Sequence, residues 1–333
     1  MTASTQRETK RLPIDAVGLA RAAEFLSTGG LVAFPTETVY GLGADGRNAA
    51  AVAALYGAKG RPSFNPLIAH VAHLDEARRE GDFGPDALRL AKAFWPGPLT
   101  LVVPRRPTGG ICDLARAGLD TVGLRIPAGG IAQALLARCG FPVVAPSANL
   151  SGRISPTTAE DVLADLDGLI DAALMGGPTP VGVESTIVAC LDGPPRLLRP
   201  GGLGREAIEE VLGRSLGGDA SPSAAPLAPG ALASHYAPRA AVRPNAIDIR
   251  PGETLLGFGP SPPPGHERAS AMRNLSPSGD LAEAAANLFG YLRALDASGA
   301  PTIAVSPIPN HGLGEAINDR IARAAAERSS DRK

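Results

Sequence analysis

Lys59-Gly60-Arg61-Pro62-Ser63-Phe64-Asn65-Pro66-Leu67-Ile68-Ala69-His70-Val71 places a cationic fork, a proline-bounded turn and a short apolar run in direct succession. The apolar run has the length of a strand, and Ala49 to Tyr56 just upstream carries a helical pattern, so the stretch reads as helix, turn, strand. Much later another apolar run, Pro142 to Ala145, leads into Ser147-Ala148-Asn149 within a loop punctuated by proline and glycine. A cationic fork facing a loop of small hydrogen-bonding side chains suits a triphosphate where no phosphate-binding loop exists. None exists here, because Gly-Lys never occurs and the Walker pattern requires it.

The same alternation extends both ways from this stretch. Strands are expected at Leu31 to Phe34, Pro66 to Val71, Leu99 to Val103, Thr121 to Ile126, Pro142 to Ala145, Leu169 to Met175, Glu184 to Leu191 and Arg196 to Arg199. Helices are expected at Ala16 to Ser27, Ala49 to Tyr56, Pro85 to Ala93, Gly129 to Arg138 and Thr158 to Leu166, the last capped by Thr157 or Thr158. Residues 12–203 thus form one mixed α/β domain. Gly217 to Ala233 is rich in Gly, Ala, Ser and Pro and reads as a linker, within a connecting segment 204–238. Residues 239–330 form a smaller α/β domain, with strands near Thr254 to Phe258 and Thr302 to Val305. Its helices lie near Asp280 to Leu295 and Leu313 to Glu327, and the tail from Arg328 to Lys333 is expected to fray.

The 333 residues suffice for two cores. A formal net charge of −1 gives no global attraction to nucleic acid or membrane, so such contacts would need a local patch. Cys112, Cys139 and Cys190 are widely spaced with no C-x-x-C pattern, which fits a reducing compartment and counts against structural zinc. Met1 to Arg11 lacks the apolar core of a signal peptide, and no run approaches the roughly 20 apolar residues of a membrane span. A cytoplasmic protein with no membrane partner is expected.

Individual motifs leave alternatives open. Gly41-Leu42-Gly43-Ala44-Asp45-Gly46 matches G-x-G-x-x-G, but polar Thr36-Glu37-Thr38 separates it from the strand before it. No acidic residue follows at the required distance either, so tight turns are the expected role of these glycines. Thr36-Glu37-Thr38 is either a solvated strand end or a hydroxyl-rich edge where open α/β sheets bind ligands. Arg125, inside the apolar Gly123-Leu124-Arg125-Ile126-Pro127, needs an anion to offset its desolvation. An internal carboxylate and a ligand carboxylate satisfy it equally. His70 reads as a core or edge histidine or as a site residue, and Glu184-Ser185-Thr186 as a strand start or a site edge.

Nine segments in order carry a resemblance to a known family. They are Phe34 to Gly43, Lys59-Gly60-Arg61-Pro62, Asn65-Pro66-Leu67-Ile68, Trp95-Pro96-Gly97-Pro98-Leu99-Thr100, Gly123 to Pro127, Pro146 to Gly152, Glu184 to Val188, Arg199-Pro200-Gly201 and His235-Tyr236-Ala237-Pro238. The chain resembles the threonylcarbamoyl-AMP synthases, the YrdC-like enzymes, in their long two-domain form. The resemblance implies a twisted, mixed, open sheet with a concave active-site face, followed by a smaller Rossmann-like domain. It implies synthesis of threonylcarbamoyl-AMP and pyrophosphate from L-threonine, bicarbonate and ATP with Mg²⁺. The product would pass to downstream tRNA threonylcarbamoyl-transferase proteins that make N6-threonylcarbamoyladenosine.

By the same resemblance, threonine falls to Thr38, His70, Arg125, Ala145 and Ser185. ATP falls to Arg61, Asn65, Thr121, Ser147, Ser155, Arg199 and Tyr236. Lys59, Arg61, Ser147 and Asn149 surround the phosphates and bicarbonate, and no protein-only metal site is visible. The connecting segment resembles a lid bringing His235 and Tyr236 to the nucleotide. A reading from another class is a module that binds double-stranded RNA or tRNA without catalysis, against which the near-neutral charge counts.

Overall fold

The computed structural model describes residues 8–217 and 235–326. The larger unit contains β1 (Lys10–Leu12), α1 (Ala16–Ser27), β2 (Val32–Pro35), β3 (Tyr40–Asp45), α2 (Ala49–Lys59), β4 (Ile68–His70), α3 (Leu74–Glu80) and α4 (Pro85–Phe94). It continues through β5 (Leu99–Pro104), β6 (Thr121–Arg125), α5 (Gly130–Cys139), β7 (Val143–Val144), α6 (Ala159–Leu166), β8 (Ala172–Leu174), β9 (Thr186–Ala189), β10 (Arg196–Arg199) and α7 (Arg205–Leu212). The smaller unit holds β11 (Ala241–Arg243), β12 (Glu253–Gly257), β13 (Met272–Asn274), α8 (Leu281–Asp296), β14 (Thr302–Val305) and α9 (Leu313–Ala325).

The larger unit is a mixed sheet ordered β1-β8-β2-β3-β7-β4-β6-β5-β9-β10. Strand periodicity divides its core. Leu31 and Ala33 pack into one layer with α2, α4 and α6, while Val32 and Phe34 face the other layer with α1 and α5. Local signals fix several helix ends. Asp15 caps α1 by accepting from the Gly18 amide at 2.8 Å, and Thr158 and Asp161 close a capping box on α6. Gly60 ends α2 at φ 59°, the left-handed stop that glycine adopts without strain.

The smaller unit is a parallel sheet ordered β11-β14-β12-β13, carrying α8 and α9. Its core takes in Val39, Ile154, Val183 and Tyr236 from segments outside it. Gly182 shows how closely the units meet, since a Cβ there would lie 2.3 Å from the Ala285 carbonyl oxygen on α8.

Several elements depart from the sequence reading. Gly41 and Gly43 are not turn residues; they lie inside β3, paired with Phe34 and Val32. A Cβ on Gly43 would meet the Phe34 ring at 2.9 Å and Val143 Cγ1 at 3.0 Å, so close packing excludes a side chain there. β1, α3, β11 and β13 went unread because each is short and α3 buries only Ala77 and Glu80. α7 lies within the connecting segment and is anchored by Ile208 and Leu212. Of the Gly217 to Ala233 linker, all but Gly217 lies outside the described residues, as does the Arg328 to Lys333 tail. No helix among the described residues is long and apolar enough to cross a membrane.

Candidate active site

A cleft of about 600 Å³ opens over one face of the large sheet. Ile68 and His70, two apart on β4, present side chains to the same face, and both line it. Register sets His70 beside Arg125 of β6 and beside Val143 of β7, so a histidine and an arginine share the floor. Thr36 and Thr38, leaving β2, form one wall; Ala145, Pro146 and Ser147, leaving β7, form another. Glu184 and Ser185 ahead of β9, Arg199 at the end of β10, and His235 with Tyr236 complete the enclosure with Arg61.

Arg125 has an internal anion. Its Nη2 lies 2.8 Å from Glu37 Oε1 and donates to the Thr38 hydroxyl at 3.0 Å, while Nε donates to the Gly97 carbonyl at 3.2 Å. The carboxylate contact is a charge pairing in close range without good hydrogen-bond geometry, because neither Glu37 oxygen has an aligned donor. The Thr38 hydroxyl also contacts the Thr36 hydroxyl at 2.8 Å. Burial and then the Arg125 charge push His70 down to about 3, so the ring is neutral near pH 7. Its buried Nδ1 has no hydrogen-bond partner.

The opposite end is cationic. Arg61 Nη2 makes only long contacts, to the carbonyls of Pro66 at 3.2 Å and Asn65 at 3.4 Å, and its buried Nε has no partner. Burial, with Arg199 adding to it against the tyrosines Tyr56 and Tyr236, lowers Arg61 to about 10. Arg199 donates twice to the Ser185 carbonyl, at 3.2 and 2.8 Å, and its Nη2 reaches the Ser185 hydroxyl at 3.3 Å. Buried guanidinium donors held on neutral oxygens gain far more from an arriving anion than from what they hold. His235, lowered to about 3 mainly by burial, lies edge-on to Tyr236 with ring centres 4.1 Å apart. Tyr236 adopts φ 61°, an uncommon conformation for a bulky residue, and is fixed by stacking on Phe289 of α8 at 5.4 Å.

Sequence and structure comparisons place this chain among known proteins. Residues 24–201 match the Sua5/YciO/YrdC family model, described as telomere recombination, and residues 203–326 match the C-terminal domain of threonylcarbamoyl-AMP synthase. The threonylcarbamoyl-AMP synthase of Bacillus subtilis is 41% identical over 93% of this chain and 93% of its own length. The chain belongs to the threonylcarbamoyl-AMP synthase family. The Pyrococcus abyssi synthase is 39% identical over 92% of this chain and 94% of its own. The crystal structure of P. abyssi Sua5 complexed with L-threonine superposes with a TM-score of 0.86 at 37% identity, covering 96% of this chain and 98% of that one. The expected mixed α/β fold of the synthase family therefore holds.

Of the residues that the synthase resemblance singles out, Thr38, Arg61, His70, Arg125, Ala145, Ser147, Ser185, Arg199 and Tyr236 all line the one cleft. Five do not. Lys59, 2% exposed, donates its ammonium to the carbonyls of Ser147 at 2.6 Å and of Asn149, behind the wall. Burial and then Arg61 hold its pKa well below the usual lysine value. Asn149 turns its amide to the carbonyls of Leu150 and Arg153, at 2.8 and 2.9 Å. Ser155 donates its hydroxyl to Glu184, and Asn65 is buried with its carbonyl held by Tyr56 at 2.9 Å. Thr121 lines an adjoining cleft of about 290 Å³ that shares Pro66, Leu67 and Ile68 with the main one.

Thr36, Glu184 and His235 also line the cleft: Thr36 belongs to the hydroxyl-rich edge and His235 to the segment expected near the nucleotide, whereas Glu184 has no substrate assigned to it from the sequence. The pattern offered no signal for Arg320, whose contact with Glu184 arises across the two units.

Proposed function

We propose that this protein condenses L-threonine, bicarbonate and ATP into threonylcarbamoyl-AMP, releasing pyrophosphate, and so supplies the activated group for N6-threonylcarbamoyladenosine in tRNA. Family membership supports the reaction. The observation that carries it to these residues is one cleft with a hydroxyl, histidine and arginine floor at one end and two guanidinium groups held only on neutral oxygens, Arg61 and Arg199, at the other.

The threonine amine attacks the carbon of bicarbonate, losing water to give a carbamate. A carbamate oxygen then attacks the α-phosphorus, and pyrophosphate leaves. Two anions must approach each other, so cationic neutralisation of the growing charge dominates the catalytic demand. Arg61 and Arg199 supply planar forks for the phosphates. Arg125, braced by Glu37 and Thr38, receives the threonine carboxylate. His70 and His235, both neutral near pH 7, shape the pocket without adding positive charge beside Arg125 and Arg61. Lys59 keeps the Ser147–Asn149 loop in place by pinning its carbonyls. Holding three reactants in register is worth up to about 7–11 kcal/mol of barrier.

The described residues contain no cluster of His, Cys, Asp or Glu able to hold a metal ion. The cleft-lining carboxylate Glu184 is paired with Arg320, and Glu37, beside the cleft, with Arg125. Mg²⁺ would enter with the substrate as Mg²⁺–ATP and would offset part of the phosphate charge beside Arg61 and Arg199. The product passes to tRNA threonylcarbamoyl-transferase proteins. A cytoplasmic place of work fits the use of ATP and three free cysteines; tRNA contact is no part of the chemistry proposed.

Pyrophosphate release measured with each substrate omitted in turn tests the proposal. Release is expected only with threonine, bicarbonate and ATP together. Equal release without threonine or without bicarbonate would refute it.

A further inference from the structure

We infer that Arg320, on the last helix of the smaller unit, is a positioning residue for the reaction, setting the nucleotide end of the cleft through Glu184 and Tyr236. The inference rests on reading the cleft as the synthase site.

Arg320 is 0% exposed on a helix that already has Ile317, Ile321 and Ala324 for its apolar face. A buried guanidinium is costly unless its partners recover the desolvation, and helix packing alone gives no reason for one. Two of its partners, Glu184 and Tyr236, line the cleft. Nε donates to Glu184 Oε2 at 2.9 Å, and Nη1 donates to the Pro200 carbonyl at 2.9 Å and to Asp319 Oδ2 at 2.6 Å. The guanidinium carbon lies 5.2 Å from the centre of the Tyr236 ring, within cation–π range.

One side chain thus ties together three wall segments: Glu184 with Ser185, Arg199 with Pro200, and Tyr236. Arg320 does not itself line the cleft, so it acts through these groups and touches no substrate. Of the residues read as the threonine end, Thr38, His70, Arg125, Ala145 and Ser185, none is bonded to Arg320, and only Ser185 adjoins one of its partners.

The contact also fixes the charge of Glu184. From α9 the carboxylate faces Arg320, which also holds Asp319, from β10 Arg199, from the loop before α6 the Ser155 hydroxyl, and beside these His235 and Tyr236. Burial raises its pKa, but Arg320, then Arg199, then the two hydrogen bonds bring it down to about 2. Without Arg320 the buried carboxylate keeps one arginine, and it takes up a proton at a higher pH. A neutral Glu184 no longer balances Arg199, and the nucleotide end changes charge.

The test uses the full chain with Arg320→Lys, Arg320→Met and the paired Glu184→Gln/Arg320→Met. Pyrophosphate release is measured against ATP concentration over a pH series, and threonine and a non-hydrolysable ATP analogue are titrated by calorimetry. The single variants are expected to raise the ATP KM by roughly tenfold or more, with threonine affinity within about twofold of wild type. Arg320→Met is expected to lose activity towards acid pH where the wild type holds, and the paired variant to keep the raised KM without that acid loss. The paired variant removes both members of the Arg320–Glu184 pair, so neither is left buried without the other, and it gives the reading even if Arg320→Met does not fold.

Fewer active molecules with unchanged ATP KM and unchanged pH profile would make Arg320 a strut only and overturn the inference. Wild-type protein without turnover would instead overturn the proposed reaction, and the analogue titration would still decide the role of Arg320.

Discussion

Gly60 ends α2 so that the residues on either side of it serve different purposes, Lys59 reaching back to the Ser147–Asn149 carbonyls and Arg61 reaching the cleft. Lys59→Met leaves two carbonyls without their donor, at about 1–3 kcal/mol for an unsatisfied buried group. It is expected to lower the thermal midpoint clearly. Arg61→Met removes a group with only long contacts and is expected to raise the ATP KM with little change in midpoint. Calorimetry beside steady-state kinetics checks the pair; a stable but inactive Lys59→Met would assign Lys59 to direct contact instead.

The histidines set a pH dependence. His70 and His235 both fall from 6.5 to about 3 on folding, so between those values the unfolded chain binds more protons and stability rises with pH. Glu184, falling from 4.5 to about 2, acts in the same direction over its lower window. Denaturant unfolding of the unliganded protein is expected to show this rise below about pH 6.5, with a shallower slope in His70→Gln. A flat profile would contradict the buried, neutral rings. At this scale Arg125 was legible as a lone charge in an apolar strand, whereas its internal partner Glu37 was not, because sequence gives no side-chain direction at a strand end.

The helix–turn–strand order from α2 to β4 was legible because the helical pattern of Ala49 to Tyr56, the proline-bounded turn and the apolar run agree with one another, although the helix runs on to Lys59 before Gly60 stops it. β3 was not. Its two glycines signal a turn locally, and only the Phe34 ring and Val143 across the sheet explain them. Gly43→Ala forces a methyl into that contact and is expected to cost about 1–3 kcal/mol, seen as a lower thermal midpoint. A wild-type midpoint would mean that the sheet has slack there. α7 escaped notice for a related reason, since Ile208 and Leu212 are its only fully buried residues and the pattern is drowned by the glycine-rich stretch that follows.

Across the whole molecule, the break in composition separated two units, but nothing in it foretold how they join. The smaller unit completes its core with Val39, Ile154, Val183 and Tyr236, returns Arg320 to Glu184, and ties Arg293 of α8 to Asp165 at 3.0 Å. These are contacts between residues far apart in sequence, carrying no periodic signature. They make the second unit part of the cleft's construction, and the central claim is that this cleft joins three substrates. Mass spectrometry of a reaction with ATP, L-threonine and isotopically labelled bicarbonate tests it most directly. The account predicts threonylcarbamoyl-AMP carrying the bicarbonate label, absent when any one substrate is withheld. An adenylate that forms without the label, or no adenylate from folded protein, would contradict it.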